Sequence, residues 1–331
     1  MTRTMPPMIP RRTLLAAVPL GFLASGRSAL SQSARPDGPV TLLVGATAGT
    51  GLDIIARLLA PYLSQRIGQP VVVENRTGAS GVLAAQAVAR APADGRLLLI
   101  VSDPFTITPG LMGNLPFDPI AHFTFVTNLA FAPVVLGLKA DFPGSSVADL
   151  LAEARRNPGR LTYASPGNGT PHHMIMELFK LTTGTDITHV PYRGTAQAIQ
   201  DLLGRRVDCM VIPVHVAMPH AREGRVKVVA SFTDRRLDAA PEVPTLREAG
   251  VAMDATPLFY ALLAPPGLPE PLLRLYNNEV TAWLRLPDVI ERLAAQGMIA
   301  AGSSPEELRA QIQRDIARWT EVVRRANIRV D

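Results

Sequence analysis

Short apolar runs alternate with longer amphipathic stretches along most of the chain. Residues 40–44 and 97–101 have the continuous apolar pattern of buried strands, and residues 52–66 carry apolar side chains at the helical spacings of three and four. Glycine-containing turns stand between a strand and the helix that follows it. This repeated order predicts an α/β fold with a largely parallel sheet.

The same pattern continues to the end of the sequence. Further strands are predicted at residues 71–74, 134–138, 161–164, 187–190, 207–212, 226–231 and 259–264. Further helices are predicted at residues 82–90, 147–156, 196–203, 271–285 and 305–326. The last two helices carry Trp283 and Trp319, which we expect to be packing anchors.

Four strand-to-helix turns share one chemistry, because each places glycine and a hydroxyl residue just before a helix. They are residues 48–51, 78–81, 167–170 and 194–195. Unpaired N–H groups and partial positive charge at a helix start bind carboxylate or phosphate without a lysine or arginine. In an open α/β sheet such turns gather where ligands bind. Any one of them could instead be a simple helix cap, but four together favour a cleft for a polar ligand.

Catalytic interpretations find little support. Residues 45–51 look like the glycine-rich loop of short-chain dehydrogenases, but none of the five tyrosines has a lysine four residues later. There is no Gly-x-Ser-x-Gly motif. His172 and His173 are adjacent, whereas a metal pair on a helix needs a spacing of four. We therefore expect no enzyme activity, no cofactor and no metal.

The first 34 residues have the order of an export signal. They contain four arginines and no acid, then a short apolar run, then small residues up to Ala34. The apolar run is too short to span a bilayer, which needs roughly 20 residues. The pair Arg11-Arg12 suggests the twin-arginine route, although ordinary signals also carry paired basic residues. The sequence therefore predicts a periplasmic protein and leaves the export route open.

Removing those residues changes the charge and the range of partners. The whole chain has a formal charge of +5, so the mature chain is near +1, and it has only three lysines. Nucleic acid is not an expected partner. The single cysteine, Cys209, excludes an internal disulfide and lies in an apolar run, where a buried structural thiol is expected.

Several motifs resemble one known family. They are VVENR at 72–76 with GASG at 78–81, YASPGNGTPHH at 163–173, VPYRG at 190–194 and PEVPTLREAG at 241–250. Over about residues 36–328 the chain resembles the Bug solute receptors of tripartite tricarboxylate transporters. The resemblance implies a type II periplasmic-binding-protein fold, in which two α/β lobes are joined by two crossing strands, here near residues 134–138 and 259–263.

The resemblance also implies a domain division and a set of ligand contacts. After a signal peptide at 1–34, lobe I would comprise residues 35–137 and 256–331, and lobe II residues 138–255. The family binds carboxylated or amide-bearing small molecules between the lobes. Carried to matching positions, the contacts would be Gly49, Thr50, Asp53, Ser80, Ser165, Asn168, Gly169, Thr170, His172, Tyr192 and Gly194.

Three departures from the family pattern bear on the ligand. Ile212 stands where an acidic residue is common, Tyr260 stands where glycine is usual, and Ser102-Asp103-Pro104 replaces a neutral segment. We count Ser102, Asp103 and Tyr260 among the ligand contacts. An ionised Asp103 in the cleft would repel a second carboxylate. We therefore expect a mono-carboxylate, or a ligand with an amino or amide group, rather than citrate.

Two functions are compatible with these features. The first is a monomeric transport receptor whose lobes close on the ligand and which then presents it to membrane permease subunits of a tripartite tricarboxylate transporter. The alternative is a ligand sensor that presents the bound form to a signalling partner such as a sensor kinase. Both use the same fold and the same binding step, so the sequence does not separate them.

Overall fold

A computed structural model describes residues 1, 2, 4 and 35–329 of the chain. The predicted export signal at 1–34 lies outside the described residues, apart from those first three positions. No helix in residues 35–329 combines the length and apolar character that a membrane span requires.

The described part contains eleven strands and ten α-helices. The strands are β1 Val40–Val44, β2 Val71–Asn75, β3 Leu97–Ser102, β4 Thr124–Ala132, β5 Val134–Lys139, β6 Thr162–Ser165, β7 Thr188–Pro191, β8 Cys209–Pro213, β9 Val226–Ser231, β10 Leu258–Ala264 and β11 Ile299–Ala300. The helices are α1 Gly51–Ile67, α2 Val82–Ala89, α3 Pro104–Met112, α4 Val147–Arg156, α5 Pro171–Thr183, α6 Thr195–Leu203, α7 Val214–Arg222, α8 Glu270–Trp283, α9 Pro287–Ala295 and α10 Pro305–Arg325.

The strands form two mixed sheets. The first sheet has the order β11-β4-β10-β3-β1-β2, and the second has the order β7-β6-β8-β5-β9. In the first, β1 is parallel to β2 and β3, and β10 runs antiparallel to β3 and β4. In the second, β6 is parallel to β7 and β8, and β5 runs antiparallel to β8 and β9. Helices cover both faces of each sheet, which explains why the central strands are apolar almost throughout.

The chain passes between the sheets at two places. It leaves the first sheet after Ala132 and enters the second at Val134, with Pro133 alone between β4 and β5. It returns through residues 232–257, ahead of β10. The predicted lobe boundary at 137/138 falls inside β5, which pairs only with strands of the second sheet among the described residues. The strand pairing therefore favours a boundary at Pro133, which we adopt as a proposal.

Most predicted elements match the structure within two residues, but five elements were missed. They are α3, β4, α7, α9 and β11. Helix α3 contains Pro109 and Gly110, which disfavour a helix in a sequence-based prediction. A Cβ atom added to Gly110 would lie 2.9 Å from the Cα atom of Thr320 in α10. Close packing between two helices therefore requires glycine at this position.

Helix α10 packs against the cores of both sheets. Leu308 and Ile312 belong to the cluster around α2 and α3, on one face of the first sheet. Trp319, Val322 and Val323 belong to the cluster around α4 and α5, on one face of the second sheet. The prediction that Trp319 is a packing anchor is confirmed, since its side chain is buried in that cluster.

We expect Trp319→Ala to lower the free energy of unfolding by about 3–5 kcal/mol, because it leaves a cavity in the second sheet's core. Because α10 contacts both cores, chemical denaturation followed by circular dichroism should show one cooperative transition. Trp319→Ala should lower the midpoint of that whole transition. Leu308→Ala, at the other end of the same helix, should shift the same transition. Two separate transitions, each sensitive to only one of these substitutions, would show that α10 does not couple the sheets.

Candidate functional site

The predicted turns lie at the carboxyl ends of parallel strands, in two groups. Residues 45–50 follow β1, residues 76–81 follow β2, and Ser102 ends β3, all in the first sheet. Residues 166–170 follow β6 and residues 192–194 follow β7 in the second sheet. Parallel strands end at the same edge, so the predicted contacts are collected at one edge of each sheet.

The buried carboxylate of Asp53 stabilises the first turn. Its carboxylate is 3% exposed and accepts hydrogen bonds from the Gly49 N–H (2.8 Å), Arg57 Nε (2.9 Å) and Asn75 Nδ2 (3.0 Å). The bond from Arg57 is the main reason that the pKa of Asp53 is lowered to about 2. The hydrogen bond to Asp53 also occupies the Gly49 N–H. Asp53 therefore acts as a positioning residue that shapes the start of α1.

The start of α1 is left open to an anion and is flanked by Tyr260. The hydroxyl of Thr50, the N-cap residue, donates to the Thr47 carbonyl (2.9 Å) and does not cap the helix. A Cβ atom added to Gly51 would lie 2.6 Å from Tyr260 Oη and 2.8 Å from Met298 Cε. Burial raises the pKa of Tyr260 to about 12, so the phenol remains protonated. The bulk predicted for Tyr260 therefore lies against the first predicted anion-binding turn.

The second turn has an unusual backbone. Gly78, Ala79, Ser80 and Gly81 all have positive φ angles, of 134°, 45°, 54° and 91°. Ala79 and Ser80 are consecutive non-glycine residues with positive φ angles, and this backbone conformation is strained. Such strain is typically retained where function requires the geometry. A Cβ atom on Gly45 would lie 2.9 Å from the Gly81 Cα atom. The first and second turns are thus in direct contact.

Ser102 and Asp103 are adjacent in the sequence but line different cavities. Ser102 lines a cavity together with Ser80. The Asp103 carboxyl group is 5% exposed, accepts a hydrogen bond from the Phe259 N–H (3.1 Å) and lines a different cavity, beside α10. Burial is the main reason that the pKa of Asp103 is raised to about 8. The raised pKa favours the neutral carboxyl group at pH 7, which weakens the expected repulsion of a second carboxylate.

In the second sheet, the turn after β6 is stabilised by its own hydroxyl groups. Ser165 is fully buried, and its Oγ accepts from the Gly167 N–H (3.1 Å) and lies 2.6 Å from His189 Nε2. Thr170 Oγ1 donates to the Gly167 carbonyl (2.8 Å). The side chain of Asn168 is exposed at the tip of the turn. Ser165 and Thr170 therefore shape the turn, whereas Asn168 and the start of α5 remain accessible.

A buried polar layer beneath this turn was not predicted. The rings of His173 and His189 stack with centroids 4.0 Å apart, and His173 Nδ1 accepts a hydrogen bond from the Gly169 N–H (3.0 Å). Tyr163 stacks on His189 and donates to Glu177, which also accepts from Lys180 Nζ. Burial lowers the pKa of both histidines to about 4, so both rings are neutral at pH 7. A neutral His173 is required if it is to accept from Gly169.

His172, Tyr192 and Gly194 complete the predicted set. His172 is 8% exposed, and neither ring nitrogen has a hydrogen-bond partner within the described part of the chain. Tyr192 donates its hydroxyl to Asp201 Oδ2 (2.8 Å), which directs the phenol toward α6. Gly194, the N-cap of α6, has φ 138°, and a Cβ atom added there would meet nothing within 4 Å. Gly194 therefore leaves the start of α6 open.

The helices that begin at the carboxyl edges have no side-chain cap. This holds for α1, α5 and α6, whose N-cap residues are Thr50, Thr170 and Gly194. Complete capping boxes occur at Ser146 of α4 and Ser304 of α10. Other helices, such as α8 and α9, also lack a side-chain cap, so it is the position of α1, α5 and α6 that distinguishes them. Their first N–H groups are available to a negatively charged ligand.

Within residues 35–329 no three histidine, cysteine, aspartate or glutamate side chains are grouped closely enough to hold a metal ion. Cys209 is buried, and burial raises the pKa of its thiol, which disfavours the reactive thiolate. The open starts of α1, α5 and α6 are suited to binding a small anion.

Comparison with known proteins agrees with this chemistry. The model of a family described as "Tripartite tricarboxylate transporter family receptor" matches residues 55–328. The protein BugT of Bordetella pertussis is 32% identical over 314 residues, which cover 94% of this chain and 96% of BugT. Among solved structures, R. palustris Rpa4515 with adipate has a TM-score of 0.73 and 34% identity. The alignment covers 89% of this chain and 99% of the Rpa4515 chain.

A second solved structure, MatC (Rpa3494) from Rhodopseudomonas palustris with bound malate, has a TM-score of 0.70 and 32% identity. The alignment covers 87% of this chain and 99% of the MatC chain. Such likenesses confirm the two-lobed periplasmic-binding-protein fold, and the chain has two mixed sheets.

Replacing Asp103 by asparagine should make stability less dependent on pH. Because the folded-state pKa is raised to about 8, the contribution of the wild-type group is fully present below about pH 4 and is lost as the pH rises to 8. Asp103→Asn should therefore gain stability relative to wild type over that range, in urea denaturation at several pH values.

Asp118→Asn provides a control of opposite sign. Backbone N–H groups of Ala121 and Ile120 lower the pKa of Asp118, so the wild-type carboxylate stabilises the fold at neutral pH and less so in acid. Asp118→Asn should lose stability relative to wild type as the pH rises toward about 4, and the difference should stay constant at higher pH. The same pH dependence for both variants would contradict the buried, neutral state assigned to Asp103.

Proposed function

Because the chain belongs to the tripartite tricarboxylate transporter family of receptors, which are solute-binding proteins and not enzymes, we propose that it captures a small carboxylated molecule between its two lobes. The bound form is then delivered to the permease subunits of a membrane transporter. The observation that carries this proposal is the set of three uncapped helix starts, of α1, α5 and α6, at the carboxyl edges of the two sheets.

A carboxylate is the ligand that these helix starts favour. Each start offers unpaired N–H groups and partial positive charge. The first turn, residues 45–50, carries no lysine or arginine, and Arg76 at the beginning of the second turn is paired with Glu74. Backbone N–H groups on two lobes can hold one anion only when the lobes approach each other. Ligand binding would therefore favour the closed arrangement.

The ligands bound to two relatives support a small ligand for this chain. Rpa4515 was solved with adipate and MatC with malate, both small dicarboxylates. Since its raised pKa favours the neutral form at pH 7, Asp103 gives only a weak reason to exclude a dicarboxylate here. Tyr260 remains the residue that we expect to limit ligand size, because its hydroxyl lies beside Gly51 at the start of α1.

Export to the periplasm and a membrane partner complete the proposal. Residues 1–34 carry the charge and apolar pattern of an export signal. The family description names a transporter receptor, which supports delivery to permease subunits rather than to a signalling protein. We propose lobes of residues 35–132 with 258–329 and of residues 134–231, joined at Pro133 and through 232–257, with the far end of α10 packed on the second lobe.

The test adds a negative charge where the ligand carboxylate is expected. In Thr170→Asp the new side chain is a good N-cap and favours the helix dipole, which offsets the lost hydrogen bond from Thr170 Oγ1 to the Gly167 carbonyl. Thermal denaturation checks that the fold is retained. It should repel a carboxylate ligand and weaken binding by about tenfold or more. Isothermal titration with adipate, malate and monocarboxylates on the purified exported protein measures this change.

Ser146→Asp is the matched control, because it places the same charge at an N-cap on the opposite edge of the second sheet. Helix α4 follows β5, which runs antiparallel to β8, so its start lies away from the carboxyl ends of β6 and β8. Its carboxylate affinity should equal that of wild type. Equal affinity in Thr170→Asp as well, or no carboxylate binding to wild type, would refute the proposed site.

A further inference from the structure

A cavity of about 230 Å³ lies within the first lobe, next to the predicted contacts. Its polar side chains are Ser80 of the second turn and Ser102 at the end of β3, both at the carboxyl edge, and Thr108 of α3, whose hydroxyl donates to the Pro104 carbonyl (2.6 Å). Its apolar lining extends away from that edge to Ala85, one helical turn into α2. The cavity therefore connects the predicted anion site to the interior of the first lobe.

Three phenylalanines form the aromatic side of this region. Phe105 of α3 and Phe117 both line the cavity, and their rings are nearly parallel with centroids 6.2 Å apart. Phe123 meets both rings edge-on, at 5.2 and 5.4 Å. Aromatic rings prefer such edge and offset contacts with a further ring. The wall is thus suited to an aromatic occupant.

The cavity lacks charged groups. None of its lining residues, all of which belong to the described part of the chain, is aspartate, glutamate, lysine, arginine or histidine. An ionised group inside it would lose hydration without a partner. A carboxylate must therefore lie outside, at the turns, while an uncharged group enters. An apolar cavity of about 150 Å³ is known to accept benzene, so this one has room for a phenyl ring.

We propose that the preferred solute is an aryl carboxylate, whose carboxylate lies at the start of α1 and whose ring enters the cavity between α2 and the Phe105–Phe117 pair. This inference rests on the proposed function and specifies its substrate class. All lining residues belong to one lobe, so the ring can dock before the lobes close. Capture would then proceed from the first lobe to the second.

The experiment compares ligands that share one carboxylate and differ in the group attached to it. Isothermal titration of the wild-type protein with benzoate, phenylacetate, cyclohexanecarboxylate and acetate should give the two aryl acids affinities about tenfold or more above acetate, because the ring is buried. Cyclohexanecarboxylate should bind less tightly than benzoate, because it lacks the aromatic contacts. Equal binding of these two would overturn the aromatic assignment.

Filling the cavity provides the structural test. Ala85→Leu extends a side chain into the empty space, so it should preserve folding, and thermal denaturation checks this point. It should abolish the preference for aryl acids and leave acetate binding unchanged. Ala87→Leu, the same change on the same helix but outside the lining, should bind all four acids as wild type does.

The outcomes distinguish this inference from the function beneath it. If acetate or the dicarboxylates bind but aryl acids show no advantage, the aryl assignment fails and the carboxylate receptor stands. If Ala85→Leu weakens every acid equally, the cavity is part of the general binding site and the assignment also fails. If no carboxylate binds to the wild-type protein, both proposals fail. Should Ala85→Leu not fold, Phe117→Leu, which removes a lining aromatic ring and keeps an apolar side chain, should lower aryl-acid affinity and not acetate affinity.

Discussion

The whole architecture depends on a single proline between two sheets. Pro133 has no N–H to contribute to a strand ladder, so β4 ends at Ala132 and β5 begins at Val134 in a different sheet. The Pro133 carbonyl accepts a hydrogen bond from the Val214 N–H at the start of α7 (3.0 Å), which ties this crossing to the second lobe. Because β4 and β5 flank one residue, the carboxyl edges of both sheets lie near the same crossing. That proximity allows turns far apart in the sequence to act on one ligand.

Binding through backbone groups requires rigid turns, and each lobe achieves this differently. In the first lobe, the buried Asp53 carboxylate joins Gly49, Arg57 and Asn75. In the second, the stacked His173 and His189 lie beneath the turn and bond Gly169 and Ser165. Several residues that resemble ligand contacts in the sequence therefore position the backbone of the turns that we propose to bind the ligand. Replacing them would alter binding without removing an atom that touches the solute.

The alternating pattern predicted the fold class, the two sets of parallel strands and the glycine turns, because these follow from local periodicity and composition. The missed β4 shows the limit of that approach. Its polar residues Thr127 and Asn128 look unsuited to a buried strand, but they bond Ser303 and Gln311 on other elements. The role of His189 depends on register, since it pairs with Tyr163 across β6 and β7. The burial of Asp103, which follows β3 as the N-cap residue of α3, likewise depends on tertiary packing, which one sequence does not reveal.

Helix α10 has a consequence for how the molecule is assembled. It follows every strand of both sheets along the chain, and it supplies Leu308 and Ile312 to one core and Trp319, Val322 and Val323 to the other. Until this helix is in place, apolar surface remains uncovered on each sheet. Both cores therefore lack part of their apolar packing until the last helix of the chain is added. A chain that ended before residue 305 would leave apolar surface exposed on both sheets, and such surface favours aggregation.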